Sequence, residues 1–352
     1  MGAIDADAHV VESPQTWSYL NDDDRRHLPM IVTQTFGNEI VANDGRNIQH
    51  NYWVVGNRIM GKDRNVGMEM TREIRELEDV PGRLRHMDQL GIDIQVMYPT
   101  LFLRPVTESA ETEMALCKAY NRWVAAASNQ APERLRWVAL PPLYSMDKVR
   151  DEMFFAKENG ACGIFMRGLE CDKALGDPYF HPLYEIATDL DMAICVHSGS
   201  NSVRIHDFFL TDTTFTMFKL AVVGAFHTLL EKGIPSKFPK VRWGFIEVSA
   251  QWVPYVLVDL EDRFRRKGLP WFDDPLKDNN MYVACEVTDD IDYVVKCAGP
   301  DCLMVGTDYG HHDPSAEINA IQIIRDDDRL DPAVAAKILN DNARALYGLN
   351  GA

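Results

Sequence analysis

The apolar residues of this chain gather into short runs set apart by longer stretches with helical spacing. The first run, Ala3–His9, alternates apolar and polar side chains. Seven more follow at Ile92–Tyr98, Arg136–Leu140, Cys162–Met166, Met192–His197, Val241–Glu247, Met281–Glu286 and Cys302–Thr307. Helical patterns such as Thr107–Gln130 and Phe215–Lys232 lie between them, and Pro332–Tyr347 reads as a closing helix. Alternation of this kind predicts βα units on a parallel sheet, and eight such units close naturally into a (β/α)8, TIM-barrel-like α/β fold. A doubly wound open sheet is the alternative. No GxGxxG follows the first run, so its usual dinucleotide reading has no support.

One gap breaks the rhythm. The first and second runs stand much farther apart than a plain βα unit requires, so residues 24–75 are expected to form an inserted flap or lid within a single barrel domain spanning 1–352. Gly37, Asn43-Asp44-Gly45 and Tyr52-Trp53-Val54-Val55-Gly56 predict a β-hairpin within residues 36–62. The insertion leaves from the C-terminal end of strand one, the end at which such barrels carry their sites, which places it over the mouth.

The ends of the runs carry the chemistry. Asp7 and His9 are two positions apart in an extended segment and share a face. His197 ends the fifth run, Glu247 the sixth, and Asp308 follows the eighth. A parallel barrel gathers all strand C-termini on one rim, so these five side chains are expected to ring one pocket and hold a divalent metal. Carboxylates and imidazoles without a thiolate suit Zn, Mn or Fe. His227, Glu286, His311 and His312 are further donors for a second ion, with at most one of the adjacent pair His311 and His312 facing it. Glu247 and His312 are the candidate acid/base groups. Arg167, closing the fourth run, is positioned either to clamp a substrate carboxylate or to form a structural ion pair. Tyr98 and Trp252 are candidate pocket walls. No GxSxG motif points to a serine nucleophile.

Composition narrows the partners. The 352 residues carry 36 Lys and Arg against 53 Asp and Glu, a net charge of −17 without a basic block. Neither nucleic acid nor an anionic membrane is expected to bind; a small-molecule substrate is. Seven cysteines form no CxxC pair and mostly sit in apolar runs. No leader pattern and no membrane-length apolar run is visible, so a cytoplasmic location is expected. Apolar helical segments such as Ala221–Phe226 suggest a homo- or hetero-oligomer.

The segments DADAHVVE, HMDQLGIDIQVMYPT, CVHSG, FIEVSAQWVPYVL and VGTDYGHHDPS resemble the motifs of the amidohydrolase-related (amidohydrolase 2) family, which includes aminocarboxymuconate-semialdehyde and hydroxybenzoate decarboxylases. The resemblance runs nearly end to end. It implies a metal-dependent-hydrolase barrel with the catalytic metal on Asp7, His9, His197 and Asp308, and decarboxylation or hydrolysis of a small organic carboxylate. Two departures stand out. Many relatives carry His-x-His or Glu-x-His on strand one and a His after strand six, where this chain has Asp7-Ala8-His9 and Glu247. As an acid/base Glu247 needs burial to raise its pKa; otherwise it is better cast as a ligand of a second metal. The spacing Glu247…Trp252…Pro254 is similar to that of dinuclear-metal hydroxylases in the family. This implies an alternative, an O2-dependent Fe/Mn monooxygenase component served by a ferredoxin or reductase partner. A third expectation is a noncatalytic metal-binding subunit of a hetero-oligomer.

Overall fold

Strands β1 (Ile4–Val10), β2 (Ile94–Pro99), β3 (Leu135–Ala139), β4 (Ala161–Arg167), β5 (Ala193–His197), β6 (Trp243–Ile246), β7 (Met281–Cys285) and β8 (Leu303–Val305) form one eight-stranded sheet in chain order. The computed structural model describes residues 2–34, 50–62, 66–209 and 215–349. Every pairing in the sheet is parallel. Apart from β1, which alternates apolar and polar side chains, the strands are mostly apolar because helices cover one face and barrel-filling side chains the other. Each begins and ends within about two residues of the sequence-predicted run.

The seam between β1 and β8 is closed by the chain just beyond β8. Asp308 N donates to Asp7 O at 3.0 Å and His9 N to Tyr309 O at 2.7 Å. Gly306 permits this approach, since a Cβ there would stand 2.5 Å from the Asp7 Cβ. The register of β1 against β2 shifts between Asp5 and Ala8. Irregularities of this type re-aim side chains at barrel rims, and Asp7 lies inside the shift.

The helical patterns settle into shorter elements. Thr107–Gln130 becomes helix Ala110–Ser128, whose first turn is capped by Ser109 Oγ accepting from Thr112 N. Phe215–Lys232 and Pro332–Tyr347 each contain a π turn, Thr216–Leu220 before helix Ala221–Glu231, and Lys337–Asp341 between helices Pro332–Ala336 and Asn342–Tyr347. Among the described residues no helix is long and apolar enough to cross a membrane.

The insertion is a three-stranded antiparallel sheet, Met30–Gln34, His50–Val55 and Arg58–Gly61. The hairpin expected within 36–62 is present as the second and third strands, and the first begins earlier, at Met30. Gly37 and the Asn43-Asp44-Gly45 turn lie outside the described residues. Trp53, Val55 and Met60 are buried on one side of this sheet; Met30, Val32 and Ile59 are exposed on the other. Three contacts pin the flap. Trp53 meets Trp17 edge-on at 5.8 Å, Arg58 reaches Asp207 Oδ1 at 3.0 Å beyond β5, and Lys62 Nζ lies 2.9 Å from Glu76 Oε1. Its exit strand is tied to the rim itself, with Gly67 N donating to Gly310 O at 2.9 Å.

Candidate metal centre

The C-terminal rim brings Asp7, His9, His197, Glu247, Asp308 and His311 together. Their donor atoms form two overlapping groups, Asp7, His9, His197 and Glu247 in one and His9, Glu247, Asp308 and His311 in the other, with all atoms of each group within 4.8 Å of one another. His9 Nε2 lies 3.5 Å from Asp7 Oδ1, 3.7 Å from Glu247 Oε2 and 3.4 Å from Asp308 Oδ1. His197 Nε2 lies 3.2 Å from Asp7 Oδ1 and 3.4 Å from Glu247 Oε2.

The outer nitrogens fix the inner ones. His9 Nδ1 faces Pro99 O and His197 Nδ1 faces Ser198 O, each at 3.0 Å. A carbonyl only accepts, so Nδ1 carries the hydrogen and the Nε2 lone pair points inward. His311 is reversed. Thr100 Oγ1 donates to Val10 O at 2.8 Å, so it accepts from His311 Nε2 at 2.9 Å and leaves His311 Nδ1 facing Asp308 Oδ1 at 2.8 Å. The His9 and His311 rings stack at 3.8 Å.

These inward atoms lack ordinary partners. His9 Nε2, Glu247 Oε2, both Asp308 carboxylate oxygens and His311 Nδ1 are buried without a hydrogen bond among the described residues. Orphaned groups of this kind cost about 1–3 kcal/mol each, and here they converge. A divalent cation held among them would give these atoms a partner, and an oxygen and imidazole donor set without sulfur fits Zn, Mn or Fe.

The electrostatics agree. Burial pushes the Glu247 and Asp308 carboxyls well above the usual range, and the carboxylates around them add to the effect. Burial, then His9, holds His311 well below the usual imidazole value. Burial alone would raise Asp7, but the His197 and His9 imidazoles beside it outweigh that and hold it low. The backbone carries strain at the same place. Glu247 (φ 58°), Ser249 (φ 59°) and Asp308 (φ 51°) are left-handed without being glycine, at a cost of about 1–2 kcal/mol each.

A buried network holds the two seam strands. Asp5 Oδ1 accepts from Thr307 N at 2.9 Å and Oδ2 from Thr307 Oγ1 at 2.7 Å and Gln95 Nε2 at 3.1 Å. Gln95 Oε1 accepts from Arg83 Nε at 2.8 Å, and both terminal nitrogens of Arg83 donate to His9 O at 3.1 Å. Asp5, Arg83 and Gln95 went unmarked in the sequence because their partners are distant in the chain; only the position of Asp5, two before Asp7, hinted at a role.

Other expected site residues lie apart from the donors. His227 Nε2 meets Asp259 Oδ2 at 3.0 Å between two helices, because it sits on the outward part of helix Ala221–Glu231. His312 is turned outward, 78% exposed and 3.7 Å from Glu69 Oε1, since the loop points His311 inward. Glu286 accepts from Lys219 Nζ at 2.7 Å and is not among the clustered donors. Arg167 forms the ion pair rather than a clamp, with Nε and a terminal nitrogen on the two Glu170 oxygens at 2.8 Å and another on Phe102 O at 2.7 Å. The Tyr98 hydroxyl is bonded to that of Tyr347 at 2.6 Å inside the barrel, 5.0 Å between ring centres from His197. Trp252 gives its Nε1 hydrogen to Ser249 O at 2.7 Å and packs on Phe226. Between flap and donors lies a recess lined by Trp53, Met60, Lys62, Leu101, Leu103 and His311.

A (β/α)8 barrel whose rim converges imidazoles and carboxylates on one point defines a metal-dependent enzyme class. The chain belongs to the amidohydrolase family, whose model matches residues 4–349. Solved structures share the fold. An amidohydrolase from Mycobacterium avium subsp. paratuberculosis K-10 is similar at 17% identity with a TM-score of 0.79, over 99% of this chain and 98% of that one. A 5-carboxyvanillate decarboxylase from Sphingomonas paucimobilis is similar at 18% identity and a TM-score of 0.70, over 99% of each. Another from Novosphingobium aromaticivorans DSM 12444, complexed with manganese and 4-hydroxy-3-methoxy-5-nitrobenzoic acid, reaches 19% and 0.63 over 76% of this chain and 79% of that one.

Proposed function

We propose that this protein is a metal-dependent carboxy-lyase that removes CO2 from a small aromatic carboxylate without oxygen. The observation that carries the reading is the convergence of Asp7, His9, His197, Glu247 and Asp308 on one buried point, with Glu247 Oε2 3.7 Å from His9 Nε2 and 3.4 Å from His197 Nε2 and its carboxyl pushed up by burial. Asp7, His9, His197 and Asp308 would hold the cation, which supplies Lewis-acid polarisation of a substrate oxygen. Glu247 then gives its proton to the ring carbon that carries the carboxylate. The C–C bond breaks, its electron pair ends in the new C–H bond and CO2 departs; solvent returns a proton to the Glu247 carboxylate. Trp53, Leu101 and Leu103 border a recess of about 20 Å³, room for little more than one water, so a ring would enter only if the flap shifts. The similarity to decarboxylases that act on aromatic carboxylates supports the same choice over hydrolysis.

The test is CO2 release from a panel of hydroxybenzoates under nitrogen, using protein loaded with Mn or Zn, beside Glu247→Gln. Release by the native chain and its loss in the variant are expected; no release from any carboxylate overturns the reading. About two Fe or Mn per chain, with O2 uptake in the presence of a reductase, would replace the lyase by the hydroxylase. Assembly into a homo- or hetero-oligomer is part of the proposal, and light scattering measures it.

A further inference from the structure

We propose that the cleft between residues 68–75 and helix Val80–Leu90 binds a small organic polyanion, a phosphate- or carboxylate-bearing molecule with an apolar body. The inference does not rest on the reaction proposed above. The cleft is open to solvent, offers about 650 Å³, and is lined by Arg72, Arg75, Arg85 and His86, by the Glu69 carboxylate, and by Met68 and Ile74 among its apolar residues. Three guanidinium groups on one concave surface are unexpected in a chain of net charge −17.

Their hydrogens are unspent. Elsewhere Arg122, Arg167 and Arg242 donate directly to carboxylates at 2.6, 2.8 and 2.5 Å. In the cleft, Arg72 approaches Glu73, Glu78 and Glu76 only at 3.8, 3.9 and 4.0 Å, and Arg85 approaches Asp79 at 3.7 Å. Neither makes a hydrogen bond within the described residues. Arg75 gives one nitrogen to Gly67 O at 3.3 Å and Met70 O at 3.4 Å, and its buried Nε has no partner among the described residues. Forked donors held near acids but not bonded to them suit a planar or tetrahedral anion that presents several oxygens at once. The acids at the rim limit affinity for a bare ion, so the apolar wall matters: Met68, 65% exposed, and Ile74 offer contact to a carbon skeleton.

The cleft is separate from the donors yet joined to them. His86 Nδ1 meets the Tyr309 hydroxyl at 2.9 Å on the outer side of the seam, and Arg75 O accepts from Val11 N at 2.9 Å just past β1. Ligand in the cleft therefore braces the β1 end of the rim.

Calorimetry on the metal-loaded full-length chain tests this with two probes, phenyl phosphate and the aliphatic dicarboxylate adipate, neither of them an aromatic carboxylate of the class proposed for the metal site. The double variant Arg72→Gln, Arg85→Gln is the control, since both side chains are exposed and touch no metal donor. Saturable binding of at least one probe is expected, weakening with salt and falling about tenfold or more in the variant while metal content and thermal midpoint stay unchanged. The probe that binds identifies the head group. Binding that survives the double substitution lies elsewhere, and that outcome, or no binding of either probe at about 10 mM, overturns the proposal.

Discussion

Arg83 and His9 are joined by two hydrogen bonds of 3.1 Å, both from the guanidinium to the His9 carbonyl. The backbone of a residue in the donor cluster is thus held from behind by a fully buried guanidinium, which also lies 4.5 Å over the ring of Tyr309. Arg83→Met removes the donors and leaves His9 O and Gln95 Oε1 short of partners inside the barrel. Urea denaturation of the variant is expected to show a loss of about 3 kcal/mol, and an unchanged midpoint would refute the role given to this pair.

His197→Ala deletes a donor from the end of β5 and leaves the backbone hydrogen bonds of the seam in place. Metal content per chain, read by elemental analysis after dialysis, is expected to fall several-fold or more, while the far-UV circular dichroism is preserved. Full metal retention would show that the cation sits elsewhere.

Glu247→Gln keeps the shape of the side chain and removes its proton-transfer role. On the proposed chemistry kcat drops by about 10²–10⁴ with a smaller change in KM. Equal kcat in variant and parent would assign proton delivery to another group.

Gly306→Ala inserts a methyl group 2.5 Å from the Asp7 Cβ at the seam. Asp7 must shift, and metal affinity is expected to fall about 10–100-fold, an effect on the scale of lost ligand support. Competition with a chromophoric chelator measures it.

Glu113 gives stability an unusual pH dependence. Burial, the largest influence, pushes its carboxyl up to about 8 although it accepts a hydrogen bond from Tyr144 N at 2.7 Å. An acid whose folded pKa exceeds its unfolded value binds more protons when folded. Its stabilising contribution is complete below the unfolded value near 4.5 and is lost as pH rises toward about 8. The slope is at most about 1.4 kcal/mol per pH unit. Glu12, pushed by burial to about 7, acts with the same sign. Glu113→Gln is expected to flatten the decline of the denaturation midpoint between pH 5 and 8, a window set by those shifts; a parallel profile would count against it.

The barrel was legible because most of its parallel strands, buried on both faces, leave short apolar runs, and because donors at the ends of such runs, or on the alternating first one, share one rim. Asp7, His9, His197, Glu247 and Asp308 were readable for that reason. Which of His311 and His312 faces inward was not, since it depends on the loop path after the left-handed Asp308. Arg167 offered two readings at sequence level. The chain turn that brings Glu170 back onto it decided between them. The outer flap strand Met30–Gln34 escaped notice because its partner strand starts well downstream, and the π turns because one extra residue per turn leaves the apolar spacing nearly intact.

The bond from Gly67 to Gly310 couples the chain leaving the inserted sheet to the loop that carries His311. Lifting the cover to admit a guest pulls on the same peptide that steadies His311, so a wide gape and a firm hold on the cation work against each other.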